Sequence, residues 1–377
     1  LNHRRDDVPV PRPGHHPGWS NRASVDWRLE TEIAPAWSLT VADRASGFVN
    51  DGRDAGADDL SNDLKEAYLT WRAGDRLFLD AGRVNLRNGV AVGFNPTDYF
   101  KTNAVATRVS EDPSVLRENR LGTVMGRALA VWEGGSATLA AAPDLRDGTV
   151  TGERSGSDLG LDRTNGRARL LGKVSVVVAD DFQPEFLVHH RSGDSPAFGL
   201  TLTRAIGDRV VIYAEWSGQR RIGLAARDQQ ERLRSQVAAG FSYTTDFKLT
   251  ANVELHVNEA GFTRGQWRQW FAAGAADARP PWRIRRSARE EQEPLNRYTL
   301  FVRAHWQDAL APDIDLTALG QTNLYDGSAF AQLEAAWRVA DDRLLSLTAG
   351  GFLGGSGTEY GSQPDAATVV GKFTRFF

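Results

Sequence analysis

Apolar side chains return at every second position through much of this chain, with charged or amide side chains between them. That period belongs to a β-strand, whose successive side chains point to opposite faces. The run from Lys248 to Asn258 is the plainest case. Leu249, Ala251, Val253, Leu255 and Val257 fall on one face, and Lys248, Thr250, Asn252, Glu254, His256 and Asn258 on the other. Wound as a helix, the same residues would scatter charge around the whole circumference. Val25, Trp27, Leu29 and Ile33 alternate in the same way with Asp26, Arg28, Glu30 and Glu32, and Tyr298 to Trp306 and Ala329 to Val339 repeat the arrangement.

A soluble sandwich also alternates, so length and punctuation decide which face meets what. Many of these segments run for about ten residues, the length a membrane-spanning strand needs, whereas strands of soluble folds commonly have about five or six. Short turns are expected near Ala34-Pro35-Ala36, Ala73-Gly74-Asp75, Glu133-Gly134-Gly135, Ala179-Asp180-Asp181, Ile206-Gly207-Asp208, Thr244-Thr245-Asp246, Asp308 to Pro312 and Ala340-Asp341-Asp342. Between them lie mostly longer polar connections, at about 49–63, 87–116, 146–165, 218–231, 259–294 and 354–366. This asymmetry predicts an all-β, closed antiparallel transmembrane β-barrel with short periplasmic turns and long extracellular loops. The count gives roughly 17 strands. Residues 1–22, with Pro9, Pro11, Pro13 and Pro17, read as a Pro-rich segment or loop, and residues 23–377 as the barrel. Bacterial single-chain barrels have even strand numbers, so the expectation is about 18, with one strand upstream of residue 1, or 16 as the alternative.

Bulk composition narrows the classes further. The mean hydropathy of −0.41 and the lack of a long apolar run exclude a helical membrane protein, but such an average is blind to barrels. Cysteine is absent, which removes disulfides, thiolate metal sites and cysteine nucleophiles. A net charge of −3, from 45 basic and 48 acidic residues, implies no general attraction to nucleic acid. No secretory signal is present, and the chain reads as a mature exported one. Its last residues, Phe373-Thr374-Arg375-Phe376-Phe377, resemble the C-terminal assembly signal of outer-membrane barrels, with Phe373, Phe376 and Phe377 its aromatic positions. Trp27, Trp37, Trp71, Trp132, Trp216, Trp306 and Trp337 fall on expected strands, often near an end, where barrels place interfacial aromatic girdles.

No catalytic or metal constellation emerges. His189-His190 and His15-His16 are adjacent pairs, and neighbours on a strand point to opposite faces, so they do not share a metal; neither a zinc spacing nor a G-x-S-x-G elbow occurs. By parity the inner face carries Glu66, Arg72, Arg127, Arg167, Arg169, Lys173, Glu185, Arg191, Glu215, Arg234, Glu254, Arg303, Glu334 and Arg338. Both signs are present with basic residues in excess, which favours anions; the alternative is that these groups neutralise one another and merely hydrate the lumen. Arg83 breaks parity, and a bulge at Gly82 would restore it to the lumen as a pore-lining residue. The connection that follows is long and rich in aromatics. It is expected to fold inward as a constriction, with Asp98, Lys101, Arg108 and Arg117 near the eyelet.

The stretch Glu66-Ala67-Tyr68-Leu69-Thr70-Trp71-Arg72, followed by Leu79-Asp80-Ala81-Gly82-Arg83-Val84-Asn85-Leu86-Arg87, resembles the early hairpin of the alginate-export family, in which a strand pair ends in Gly-Arg before a long loop. The resemblance implies an 18-stranded monomeric barrel passing an anionic polysaccharide through an arginine-rich lumen. The expectation is an outer-membrane channel for a polar, anionic solute or polysaccharide, with no cofactor and no enzymatic step. Its partners would be outer-membrane lipid and lipopolysaccharide, the barrel assembly machinery, and a periplasmic or lipoprotein export subunit. The alternatives are a non-conducting barrel that scaffolds a secretion or electron-transfer partner, and a rim-active enzyme.

Overall fold

A computed structural model describes residues 2–4, 18–50, 60–105, 110–146, 159–225, 230–273 and 279–377. The strands are β1 (Asn2–Arg4), β2 (Ser20–Ala34), β3 (Trp37–Asn50), β4 (Leu60–Arg72), β5 (Leu77–Val84), β6 (Thr123–Trp132), β7 (Gly135–Ala142), β8 (Arg169–Val176), β9 (Glu185–Arg191), β10 (Ala197–Ile206), β11 (Val210–Arg221), β12 (Arg232–Thr244), β13 (Leu249–Asn258), β14 (Tyr298–Trp306), β15 (Ile314–Asn323), β16 (Ala329–Ala340), β17 (Arg343–Leu353) and β18 (Asp365–Arg375). Four helices, α1 (Pro113–Glu118), α2 (Leu161–Thr164), α3 (Arg264–Ala273) and α4 (Arg279–Glu290), all lie in connections.

From β2 to β18 every strand pairs antiparallel with its neighbour in sequence, in one sheet of 17 consecutive strands. The short β1 lies against β18, Asn2 opposite Thr368. Each expected short turn is found at one end of the sheet. At the other end, two of the connections are also brief, residues 192–196 and 324–328, and the rest are long. β2 begins at Ser20, three residues before the expected boundary. The Pro-rich stretch at Pro9 to Pro17, with His15 and His16, lies outside the described residues.

Exposure runs opposite to that of a soluble sheet. On β13 Glu254, His256 and Asn258 are 0% exposed, while Leu255 between them is 44% exposed. Val25, Leu333, Trp337 and Leu347 are likewise exposed on other strands. Trp37, Trp71, Trp132, Trp306 and Trp337 all stand beside the short turns, with Trp37 and Trp71 stacked at 5.9 Å across a strand pair. That is an aromatic girdle at one interface.

The connection from β5 to β6, residues 85–122, sits against the polar face. Asn119 accepts from Arg44 of β3 at 2.7 Å, and Glu111 N donates to Gln332 of β16 at 3.0 Å. On a flat sheet those strands would stand about 60 Å apart, at roughly 4.8 Å per strand. The sheet therefore curls around this segment, polar face inward.

The expected bulge at Gly82 is not where the register shifts. Pairing through Gly82 is continuous on both sides, opposite Tyr68 and Met125. The nearest shift falls between β3 and β4, where Ala42 opposes Glu66 and Asp43 opposes Leu64, leaving Lys65 as the extra residue. Gly82 itself has φ +134, and a Cβ there would stand 2.3 Å from the carbonyl oxygen of Ala67. A side chain is excluded at that position on both counts.

Candidate functional site

The inner wall is organised by two buried carboxylates. Glu215 on β11 accepts from the backbone N–H groups of Val90 (2.5 Å), Ala91 (2.6 Å) and Thr97 (3.4 Å), and from the side chains of Thr97 (2.7 Å) and Asn95 (3.0 Å). Glu254 on β13 accepts from Val92 N (2.5 Å), Gly93 N (2.9 Å) and the Tyr213 hydroxyl (2.7 Å), and lies 2.7 Å from His256 Nε2. An inserted loop has no ladder of its own, so its backbone donors need acceptors, and the strands supply them as charged ones. Gly93 packs so closely that a Cβ would meet the Phe301 ring at 2.6 Å, and at Gly89, φ +87, it would meet Glu215 at 2.6 Å.

Further along, Tyr99 stacks on His189 at 4.5 Å and bonds Ser217 at 3.0 Å, while Asp98 is fully buried against Arg120. Lys101 Nζ stands 4.4 Å above the Phe94 ring and donates to the Asn95 carbonyl at 2.7 Å. Burial drives the Lys101 ammonium below its ordinary pKa, against the upward pull of Glu293 and Asp98. Arg117 donates to the carbonyls of Asn88, Gly89 and Ala91. The segment is finally tied to Arg303 through Asp112 at 3.0 Å and to Gln332 through Ser110 at 2.8 Å.

The connection thus folds inward, as its length and aromatics predict. Its charged residues are used differently from the expectation. Asp98, Lys101 and Arg117 mostly hold the segment's own shape, although all three border cavities beside it. Arg108 lies outside the described residues. Among the expected inner residues, Glu215 and Glu254 are sealed under the segment and meet no water. Arg83 is buried too, donating to the carbonyls of Gly122 (3.0 Å) and Gly160 (3.2 Å). Arg167 precedes β8 in a bend and pairs with Asp194 at 2.9 Å; Arg169 donates to the Tyr99 carbonyl at 3.4 Å.

The others pair along the wall. Glu66 meets Arg28 at 2.5 Å, Arg72 meets Glu32, Arg127 meets Asp80, Lys173 meets Glu185 at 3.0 Å, and Arg191 meets Asp194 and Glu291. Arg234 donates to the carbonyls of Arg221 and Glu259, Glu334 accepts from Thr348 at 3.0 Å, and Arg338 is exposed. Reading by parity missed Tyr99, His189, Arg120 and Glu293. Glu293 sits where burial would raise its pKa, yet Arg221 at 2.7 Å outweighs that, and the carboxyl titrates below the ordinary range.

Three spaces border the segment. One of about 220 Å³ lies toward β9–β12 and includes Tyr99, His189, Arg191, Arg221 and Glu293. One of about 400 Å³ lies toward β14–β17 and α4. Another, about 510 Å³, lies against β2–β6; its charged lining is Arg28, Lys65, Arg87 and Arg127 against Asp26 and Glu66. Among the described residues no group of three or more His, Asp or Glu could hold a metal, and no helix is long and apolar enough to cross a membrane.

No protein-family model and no curated protein matches the sequence. Solved structures do match in shape. Acinetobacter baumannii OccAB1 aligns with TM-score 0.54 at 8% identity, covering 94% of this chain and 89% of that one. Pseudomonas aeruginosa OccK5 (OpdH) aligns with TM-score 0.53 at 7% identity over 95% of both chains, and OccK11 (OpdR) with 0.50 at 9% identity over 95% and 91%. At such identities the likeness speaks for architecture, and with the inverted faces and the inserted segment it identifies the chain as an all-β protein of porin-like fold.

Proposed function

We propose that this chain is a bacterial outer-membrane channel for small polar solutes, with a preference for anions. The observation that carries the reading is the inversion of faces: carboxylates, arginines and amides line the concave side, and leucine, valine and tryptophan cover the convex one. Only acyl chains outside and water inside satisfy both. The sheet closes through β1, which already pairs with β18, leaving a lumen narrowed by residues 85–122. The segment is sealed onto β9–β14, so solute passes on the β2–β6 side. There Arg28, Lys65, Arg87 and Arg127 outnumber Asp26 and Glu66, and Arg87 is exposed and Lys65 has no side-chain hydrogen bond among the described residues. Weak, repeated contacts with such cations let an anion enter and leave.

The phenylalanines at the chain end serve as the assembly signal in this reading, and the likeness of the β4–β5 hairpin to alginate exporters favours an acidic cargo. The test is reversal potential in planar bilayers under a tenfold KCl gradient. An anion-preferring channel is expected, with Lys65→Gln combined with Arg87→Gln moving the reversal potential toward zero. Cation preference in the wild type would overturn the selectivity, and electrical silence would favour a non-conducting scaffold, for which the inserted segment's contacts with strands as distant as β3 and β16 on the polar face are the supporting observation.

A further inference from the structure

The β13–β14 connection builds a helical hairpin with its own core. Phe262, Trp267, Ala288 and Leu295 are buried in it, Trp270 and Ile284 pack against them, and the Phe262 and Trp270 rings stack at 5.0 Å. The hairpin is tied down at three places: Trp267 Nε1 to Asp326 at 2.9 Å, Arg285 to the Glu359 carbonyl at 3.0 Å, and the Glu290 carbonyl to Asn103 N at 2.9 Å. Those partners belong to the β15–β16 and β17–β18 connections and to the inserted segment. The hairpin therefore spans the mouth at the long-loop end.

Its exposed charges are mostly cationic. Arg264, Arg268, Arg283 and Arg286 are all exposed; Arg264 donates to the Tyr325 carbonyl at 3.2 Å, and the exposed carboxylate of Glu290 is 2.7 Å from Arg286. Arg268 and Arg283 have no acidic partner among the described residues. In a chain of net charge −3, residues 264–290 hold seven arginines against Asp277 and Glu290. Solvation alone would be met by either sign or by amides, so this excess of one sign calls for a different cause. The outer face is also continuous with the cavity of about 400 Å³ beneath it, since Arg286 and Arg289 line that cavity together with Arg285, Arg117 and Lys101, facing the carboxylates of Asp98, Glu111, Glu293 and Glu359.

We propose that the outer face of the α3–α4 hairpin captures multivalent anions from free solution and hands them on to the lumen. Arg264 with Arg268, and Arg283 with Arg286, stand at i,i+4 and i,i+3, which makes each pair neighbours on one helix face, with Cβ atoms about 5–6 Å apart, and lets two guanidinium groups meet an anion with two or more charged groups. The hand-over rests on the channel reading; the capture does not. Binding is measured on detergent-purified protein with fluorescent polyphosphate, and current interruption in bilayers with tripolyphosphate added to one side. The quadruple variant Arg264→Gln, Arg268→Gln, Arg283→Gln, Arg286→Gln is expected to lose at least tenfold in affinity, and the corresponding four-lysine variant to keep most of it. In bilayers the wild type is interrupted from one side, and the glutamine variant tenfold less often. Equal binding by wild type and the glutamine variant, or equal loss in both variants, overturns the capture site. A silent bilayer with the affinity difference intact keeps the site and removes the channel; conduction with equal binding does the reverse.

Discussion

Glu215 and Glu254 show how single side chains set the shape of the lumen. Each spends a full charge on backbone donors of residues 90–97, in a place where no water competes. Replacing either by glutamine turns one oxygen into a donor facing other donors, at a cost of about 1–3 kcal/mol for the group left unsatisfied. Glu254→Gln is therefore expected to lower thermal stability and to give larger, noisier single-channel currents as the segment loosens; an unchanged current trace would show that the segment is held by other contacts. Gly89→Ala acts on the same joint, since its Cβ would displace the Glu215 carboxylate in a backbone region that disfavours side chains. Parity already placed both glutamates on the inner face. Their partners were not legible, because Val90 to Thr97 offer backbone N–H groups, which carry no sequence signature.

Among elements, the long connections behave as packed structures. The β17–β18 connection is fixed by Glu359, which is buried and accepts from Asn296 Nδ2 at 2.8 Å. Burial raises its pKa, with the hydrogen bond from Asn296 and the charge of Arg285 too weak to reverse it and Asp326 adding to the rise. A carboxyl whose folded pKa exceeds the unfolded one stabilises the packed form below the unfolded pKa, and that contribution fades as pH rises through the folded value. Amide exchange in residues 354–364 is expected to be slowest in acid and to quicken with pH beyond the intrinsic rate, with Glu359→Gln flattening the dependence. A wild type and variant with the same pH profile would assign the protection elsewhere. Glu293 has the opposite sign, so its bridge to Arg221 holds until the pH falls below the ordinary carboxylate range. In sequence, residues 259–294 read as loop. The helical spacing of Trp267 and Trp270, and of Ile284 and Ala288, was present but short, and arginine-rich runs resemble solvated loop as much as helix.

For the whole molecule, the inverted faces make a quantitative demand. Leu255 and Leu347 lie on the outer face of their strands. Placing arginine at either should cost about 2–4 kcal/mol in a bilayer if the site is near the midplane, and much less near an interface. Equilibrium refolding into lipid vesicles, with Leu255→Arg compared against the same substitution at exposed Leu310 in a short turn, measures the difference. Equal costs at the two positions would remove the bilayer from the account of the fold.

The alternation of side chains determined the long strands from β2 onward, their short turns and the side most strand residues face, because a strand's period is local and needs no knowledge of neighbours; Arg83 and the short β1 escaped it. The inward fold of residues 85–122 was also legible, from aromatic residues that a free loop would leave in water. Only the tertiary structure decided which inner charges meet water and which are sealed. That outcome depends on a segment and strands more than a hundred residues apart, such as Val90 and Glu215, meeting across a curved sheet. Tertiary contact likewise moved the register shift to Lys65 and turned the β13–β14 connection into a helical cover, since each outcome rests on the fit between surfaces that sequence period alone does not encode.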